Sequence, residues 1–199
     1  MNAWDRRFQN KAYIYGKEPN EFVVYAQNKL NLKKGSLLAV AEGEGRNAVF
    51  MAEKGLSVTA WDYAEEGLKK TQALAAERHV HVQTALADLT DADWMPEAYD
   101  AVVNVFGHIE PAGRESMLEG IKSTIKPGGY YISEVYSKHQ LPYKSGGPPK
   151  EDFLYDAGKM LETFKGWKII HFFTGEVTRQ EGKLHNGLSH VIQIIAQKI

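Results

Sequence analysis

Short apolar runs alternate with longer stretches of helical periodicity along the chain. Residues 37–41 are apolar at every position, as expected of a strand that is buried on both faces of a parallel sheet. Residues 46–54 follow after a glycine turn, have the spacing of a helix and end before Gly55. This alternation of strand and helix predicts βαβ units on a mostly parallel sheet.

The same two patterns repeat to the end of the chain. Helical spacing of apolar residues predicts helices over residues 22–30, 65–78, 111–125 and 154–164. Apolar and β-branched runs predict strands over residues 58–61, 80–82, 99–106, 130–136, 167–174 and 188–196. Only the polar turn 180–183 joins the last two strands, so we expect them to be antiparallel neighbours.

Length and composition indicate an ordinary globular protein. The 199 residues are 43% hydrophobic and suffice for one sizeable core. Residues 137–150 contain two glycines and three prolines without periodicity, and we interpret this long loop as a lid or substrate loop. We expect a single domain over residues 1–199, with an N-terminal cap (1–34), a cofactor-binding core (35–136), the lid (137–150) and a C-terminal helix with a strand pair (151–199).

The charge balance argues against polyanionic partners, because 24 Lys and Arg residues face 25 Asp and Glu residues. The absence of cysteine excludes disulfides, thiolate metal sites and a cysteine nucleophile. The apolar runs are far shorter than the ~18 residues of a membrane span, and we see no secretory signal. We therefore expect a cytoplasmic protein that binds neither nucleic acid nor membranes.

The strongest chemical signal is the glycine turn that follows the first strand. Gly43 and Gly45 let the backbone approach a ligand, and the helix that starts at Arg46 offers free amide donors. Asp62 ends the next strand 62 − 43 = 19 positions later, near the ~20 positions expected for a carboxylate that binds ribose hydroxyls. The motif therefore predicts a site for a nucleoside cofactor.

The charges around the turn distinguish between possible cofactors. Gly43-x-Gly45-x-x-Ala48 also fits a dinucleotide motif, so a short NAD(P)-dependent oxidoreductase is one alternative. Carboxylates at Glu42 and Glu44 disfavour a pyrophosphate and suit a cofactor with a positive sulfonium and an amino group. A second alternative is a non-catalytic module that binds the cofactor without turnover.

The combination of motifs resembles the class I S-adenosylmethionine-dependent methyltransferases, and within them the small bacterial tellurite-resistance-type enzymes. The resemblance rests on residues 38–47, 61–62, 87–89 and 126–130, together with N-terminal residues 4–8 and 15–20 and the C-terminal run 181–187. It implies a Rossmann-like, doubly wound seven-stranded α/β sheet with an antiparallel C-terminal strand. It also implies cofactor contacts at Glu42, Gly43, Gly45, Asp62 and Asp88.

This resemblance predicts S-adenosylmethionine-dependent methyl transfer to a small-molecule acceptor, with a thiol, selenium or tellurium species as the candidate acceptors. The predicted cofactor-binding residues are Glu42, Gly43, Gly45, Arg46, Asn47, Asp62, Tyr63, Asp88, Leu89 and Tyr15. No metal site is predicted, because His79 and His81 lack a third ligand of suitable type. We expect a monomer or a weak homodimer.

Four residues are candidates for contact with the acceptor. His108 follows the fourth strand and His185 lies in the turn between the last two strands, so either could be a base within about 2.6–3.2 Å of an acceptor proton. Tyr136, at the end of the fifth strand, could form a pocket wall. Arg179 could bind an anionic substrate.

Overall fold

The computed structural model describes residues 2–182 and 184–199, so Met1 and Lys183, the last residue of the predicted turn, lie outside the described residues. The helices are α1 (Ala3–Phe8), α2 (Glu21–Leu30), α3 (Arg46–Glu53), α4 (Glu65–Glu77), α5 (Pro111–Thr124) and α6 (Ala157–Thr163). The strands are β1 (Ser36–Val40), β2 (Ser57–Asp62), β3 (Val82–Leu86), β4 (Tyr99–Val105), β5 (Ile125–Tyr136), β6 (Lys168–Glu181) and β7 (His185–Gln197). Short 3₁₀ turns cover Lys138–Gln140 and Glu151–Phe153.

The strands form one sheet in the order β3-β2-β1-β4-β5-β7-β6. Pairing is parallel from β3 to β5, whereas β7 runs antiparallel to both β5 and β6. The predicted α/β class, the seven-stranded sheet and the antiparallel pairing of the last two strands are confirmed.

Helices cover both faces of the sheet, and alternate side chains of β1 pack against the helices on opposite faces. Leu37 and Ala39 belong to one core cluster with residues of α2, α3 and α4. Leu38 and Val40 point to the opposite face and belong to a second cluster with residues of α5 and α6. Apolar residues at every position of β1 are therefore required by burial on both faces.

The predicted position of the third strand is wrong. Residues 80–82 were expected to form it, but the strand is Val82–Leu86. His79 has a left-handed backbone with φ of 57°, and the amides of His79 and Val80 bond back to the carbonyls of Ala76 and Ala75. These residues terminate α4, as in other helices that end on a left-handed residue, and cannot start the strand.

The last two strands are longer than predicted, and this changes the surroundings of the site. The ladder between β5 and β7 stops at Tyr136 opposite Val191. Pairing between β6 and β7 continues to Glu181 opposite His185. The outer part of this hairpin therefore projects beyond the carboxyl end of β5, and His185 is the first residue of β7 instead of a turn residue.

Other boundaries move by a few residues: β5 begins at Ile125 instead of Tyr130, and α6 begins at Ala157 instead of Leu154. Within the described ranges, no helix is both long enough and apolar enough to cross a membrane. Cytoplasmic location, oligomeric state and the four-part division of the domain stay predictions.

Candidate active site

A crevice is expected where the strand order reverses, between the carboxyl ends of β1 and β4. Two non-glycine residues in the left-handed region flank this point, Ala41 after β1 with φ of 51° and Phe106 after β4 with φ of 54°. Such conformations are uncommon outside glycine and concentrate at functional sites. The backbone conformations and the glycine motif therefore indicate the same candidate site, at the carboxyl ends of β1 and β4.

The glycine turn and the end of β2 are joined by Asp62. Its Oδ2 accepts a hydrogen bond of 2.8 Å from the amide of Gly43, and its Oδ1 accepts one of 2.9 Å from the amide of Ala64. Burial raises the pKa of Asp62, against the effect of these amides. Each oxygen retains a second lone pair, so the carboxylate can also accept hydrogen bonds from two ribose hydroxyls.

The turn itself needs glycine at position 45. Gly45 has φ of 91°, and a Cβ placed on it would lie 2.7 Å from Thr71 of α4. Gly45 is also the N-cap of α3, although it has no side chain to cap the helix. The close packing of the turn on α4 therefore depends on this glycine.

Glu42 caps α3 in place of the missing side chain. Its Oε1 accepts hydrogen bonds of 2.9 and 2.7 Å from the amides of Asn47 and Ala48. Burial raises the pKa of Glu42 to about 7. A positive group of a bound ligand would therefore stabilise the ionised form.

Glu44 has a different role from the one expected. Its Oε2 accepts hydrogen bonds of 2.8 and 3.2 Å from the amides of Ile14 and Tyr15, and its Oε1 pairs with Lys70 at 2.7 Å. These partners fasten the segment of residues 9–20, which we call the N-terminal strap, over the glycine turn. The carboxylate holds the strap, which accounts for both of its oxygens.

Tyr63, Asp88 and Leu89, which were predicted to contact the cofactor, follow the ends of β2 and β3. Tyr63 is 44% exposed, and Leu89 is buried. Asp88 is exposed, and hydrogen bonds from Thr90 to its Oδ1 lower its pKa. The predicted contacts of these three residues with the cofactor stay predictions.

Arg179 is not free to bind a substrate anion, contrary to expectation. It is 4% exposed, and its Nε and Nη2 donate to the two oxygens of Glu134 at 3.0 and 2.5 Å. Its Nη1 donates to Glu21 at 3.2 Å. Burial lowers the pKa of Arg179, but Glu134, Glu181 and Glu21 together raise it above its ordinary value, so the guanidinium remains charged and paired.

Asn47 and Asn20 extend this buried polar network to the strap. The Oδ1 of Asn47 accepts a hydrogen bond of 2.9 Å from the amide of Asn20. The side-chain amide of Asn20 donates to both Glu134 and Glu181 at 2.8 Å, and its Oδ1 caps α2. The geometry therefore assigns the Asn47 side chain to strap positioning, where the sequence predicted a cofactor contact.

His108 has both ring nitrogens engaged, which does not suit the predicted base. Its Nδ1 is 2.8 Å from the carbonyl oxygen of Phe153, and its Nε2 accepts from the amide of Tyr136 at 3.2 Å. Burial lowers its pKa to about 3, so it is neutral near pH 7. His108 thus positions the end of β5 and the segment before α6.

His185 is surrounded by aromatic rings on the opposite side of the crevice. Its ring centroid lies 4.5 Å from those of Tyr15 and Phe106 and 5.6 Å from that of Tyr136. Burial lowers the pKa of His185, against the opposite effect of Glu181. The strap, the end of β4, the end of β5 and the hairpin thus meet at one neutral imidazole.

The predicted lid approaches the same wall. A Cβ on Gly146 would lie 2.5 Å from the Oη of Tyr136, so the loop backbone packs directly on this ring. Ser145 ties the loop to the hairpin, because its carbonyl accepts from the amide of Asn186 at 3.1 Å. The loop therefore covers Tyr136, and whether it opens stays a prediction.

Comparison with known proteins agrees with this arrangement. Residues 37–129 match a family described as a methyltransferase domain. Over these residues the chain is similar to methyltransferase domains. The curated relatives are described as S-adenosyl-L-methionine-dependent, which favours S-adenosylmethionine over the nicotinamide cofactor of the alternative. Among the described residues, no group of three or more His, Asp or Glu side chains could hold a metal ion.

One curated relative is TehB of Haemophilus influenzae, described as a probable S-adenosyl-L-methionine-dependent methyltransferase. It is 26% identical over 146 residues, which cover 72% of this chain and 48% of TehB. The chain therefore spans about half the length of the curated relatives it matches.

Solved structures show the same fold. The crystal structure of Haemophilus influenzae TehB superposes with a TM-score of 0.73 at 19% identity, covering 98% of this chain and 66% of that chain. A structure of a methyltransferase from Methanosarcina mazei gives a TM-score of 0.72 at 15% identity, covering 92% of this chain and 99% of that chain.

The residues around the glycine turn fit S-adenosylmethionine. Glu42 and Asp62 are both more than nine-tenths buried, and Arg46, the nearest cation in the turn, is paired with Glu181 at 2.6 Å. The charge left over beside the turn is negative, which suits a positive sulfonium and amino group and disfavours a pyrophosphate.

Sequence reasoning missed the residues that hold the site together. Glu134 is fully buried inside β5 and lies at the centre of the polar network, although its strand reads as an apolar run. A glutamate in such a run was the available signal, because a buried charge requires partners. Asn20 hydrogen-bonds to Asn47, Glu134 and Glu181 and also caps α2. Apart from its position before α2, nothing in the sequence indicated these contacts.

Proposed function

We propose that the protein transfers the methyl group of S-adenosylmethionine to a small-molecule acceptor. The observation that carries the proposal is the carboxylate of Asp62, held by the amides of Gly43 and Ala64 at the end of β2. A buried acid fixed beside a glycine turn in this position suits recognition of an adenosyl ribose.

On the donor side, each residue would have a distinct task. Asp62 would accept from the ribose hydroxyls, and Glu42 would face the positive amino group. Tyr63, Asp88 and Leu89 would border the adenine. The bound donor supplies a methyl group activated by the positive charge on its sulfur.

On the acceptor side, the protein would mainly align the nucleophile and exclude water. The rings of Tyr15, Phe106, Tyr136 and His185 form a continuous wall of contacts between 4.3 and 5.6 Å. His185 is the candidate base for an acceptor that carries a proton, because its Nδ1 has no hydrogen-bond partner and its pKa is lowered by burial.

For the acceptor itself, we propose a soft nucleophile such as a thiol, a selenium species or a tellurium species. The support is the resemblance to the tellurite-resistance-type enzymes and the shortage of bases. With His108 engaged at both nitrogens, one imidazole remains, and a soft nucleophile depends least on a base.

The test is a methyl-transfer assay with methyl-labelled S-adenosylmethionine and a panel of sulfide, selenite, tellurite and small thiols. We expect labelled product with at least one of them and a lower rate in His185→Gln for acceptors that carry a proton. His81→Gln, at an exposed histidine, is the matched control. A protein that binds the donor yet labels nothing in the panel or in a cell extract would favour the non-catalytic module.

A further inference from the structure

Three buried polar atoms without partners lie on one side of the crevice. Within residues 2–182 and 184–199, five buried side-chain nitrogen or oxygen atoms have no hydrogen-bond partner: Arg46 Nη1, Arg114 Nε, Ser133 Oγ, Tyr136 Oη and His185 Nδ1. Leaving a buried polar atom without a partner destabilises the folded state, so proteins rarely do so without a reason. The three atoms of Arg46, Tyr136 and His185 require a common explanation.

These three residues, which we call the Arg46 cluster, are linked through Glu181 and the aromatic wall. The Oε2 of Glu181 lies 2.6 Å from Nη2 of Arg46 and 3.9 Å from Nδ1 of His185, the latter too far for a hydrogen bond. The rings of His185 and Tyr136 meet edge to face at 5.6 Å. All three side chains are at least nine-tenths buried.

The hydrogen-bonding capacity of the Arg46 cluster suits an oxygen ligand. Arg46 Nη1 can only donate, and burial raises the pKa of Tyr136, so its hydroxyl keeps a proton to donate. Arg46 Nη1 and the Tyr136 hydroxyl could each donate to one of the two oxygens of a bound carboxylate or small oxyanion. His185 Nδ1 can take either role.

The charges of the Arg46 cluster also permit a negative ligand. Burial alone would raise the pKa of Glu181, but His185 and Arg46 lower it to about 2, so Glu181 is ionised and cancels the charge of Arg46. Glu134 and Arg179 cancel in the same way. An anionic acceptor bound by Arg46 and Tyr136 would therefore not be opposed by an unpaired carboxylate of Glu181 or Glu134.

Tyr136 and His185 of the Arg46 cluster lie away from Asp62, whereas Arg46 itself follows Gly45 in the glycine turn and pairs with Glu181 at 2.6 Å. Asp62 ends β2, on one side of β1, whereas Tyr136 ends β5 and His185 begins β7, beyond β4 on the other side. We propose that Arg46 Nη1 and Tyr136 Oη bind a carboxylate or oxyanion group of the methyl acceptor, with His185 beside it. This inference rests on the proposed function and narrows its substrates to anionic molecules.

The test uses the intact chain saturated with S-adenosylhomocysteine, with acetate as the anionic probe. Saturation-transfer NMR reports binding of acetate, and acetamide serves as the neutral probe of the same shape at constant ionic strength. We expect a signal for acetate and none for acetamide, and we expect selenite to displace acetate.

Variants then assign the binding to the cluster. Tyr136→Phe removes only the unpartnered hydroxyl, and Arg46→Met removes the charge. Each should reduce acetate affinity about fivefold or more, and Tyr136→Phe should change the affinity for S-adenosylhomocysteine less than about twofold. Ser133→Ala removes another unpartnered buried hydroxyl in β5 and should leave acetate binding unchanged. Tyr136→Phe keeps the test decisive if Arg46→Met fails to fold.

Three results would overturn the inference: no acetate signal on the loaded protein, equal acetate affinity in Tyr136→Phe, or a large loss of S-adenosylhomocysteine affinity in Arg46→Met with acetate binding intact. The last result would mean that the donor's own carboxylate takes the free nitrogen. Failure of S-adenosylhomocysteine to bind would instead contradict the proposed function, and acetate binding to the free chain would still decide the role of the cluster.

Discussion

The carboxylate of Asp62 accepts the amide hydrogen of Gly43 at 2.8 Å, so the end of β2 fixes the glycine turn that follows β1. The same carboxylate accepts from Ala64 just before α4. One side chain therefore sets the relative position of two loops that would border the cofactor. Its role in folding and its role in binding can be separated by substitution.

Asp62→Asn should bind S-adenosylhomocysteine at least about tenfold more weakly than the wild type, because an amide offers one acceptor oxygen where the carboxylate offers two. Asp62→Ala should also lose about 1–3 kcal/mol of unfolding free energy, since two buried amides lose their acceptor. Calorimetric titration and urea unfolding measure the two effects. Equal affinity in Asp62→Asn and wild type would contradict the assigned contact.

Glu44→Ala should loosen the N-terminal strap. The amides of Ile14 and Tyr15 lose their acceptor, so hydrogen exchange should accelerate across residues 9–20 with little change in the central strands. Lys70→Met is the comparison variant, because it removes the ion pair to Glu44 and the hydrogen bond from Lys70 to the carbonyl of Ala12 and leaves the two amide bonds in place. Similar exchange in both variants would show that the contacts of Lys70, and not the amide bonds, hold the strap.

Glu42 should produce a slope in stability with pH. Its folded pKa of about 7 lies above its ordinary value of 4.5, so the folded state binds more protons between these values. The free energy of unfolding should therefore fall as the pH rises through this window and level off above it. Glu42→Gln keeps an oxygen for the amides of Asn47 and Ala48, and urea titrations should show that it lacks this contribution. Parallel curves for the two proteins would refute the assignment.

The contribution of His108 to the free energy of unfolding should depend on pH in the opposite direction to that of Glu42. Its folded pKa of about 3 lies below its ordinary value of 6.5, so the unfolded state binds the proton first as the pH falls. Stability should decrease on acidification from pH 6.5, with a contribution of about 1–3 kcal/mol by pH 4.5. His108→Gln should lack this acid-dependent loss, even if it is less stable at pH 7. His81→Gln, at an exposed histidine, is the matched control and should keep the acid-dependent loss that His108 causes.

The contact between Asp62 and the glycine turn could be predicted because its signals are local. The glycine turn, the strand before it and Asp62 lie within one βαβ unit, where spacing and strand order determine proximity. The motif also correctly places Asp62 next to Gly43, 19 positions away.

The buried network of Arg179 and the contacts of the N-terminal strap could not be predicted in the same way, because they join distant parts of the chain. Arg179 binds Glu134 across 45 positions, and Glu44 binds Ile14 across 30 positions. No periodicity or motif in the sequence indicates either pairing. The pairing of Arg179 depends on the length of β6, and the pairing of Glu44 depends on the path of the strap. Because the partners of Arg179 and Asn47 could not be seen in the sequence, we predicted that both side chains bind ligands.

The proposed function is tested most directly by isothermal titration of the purified protein with S-adenosylhomocysteine and, separately, with NAD⁺. We predict saturable binding of S-adenosylhomocysteine at one molecule per chain and no detectable heat with NAD⁺. Binding of NAD⁺, or no binding of S-adenosylhomocysteine by a folded protein, would contradict the account.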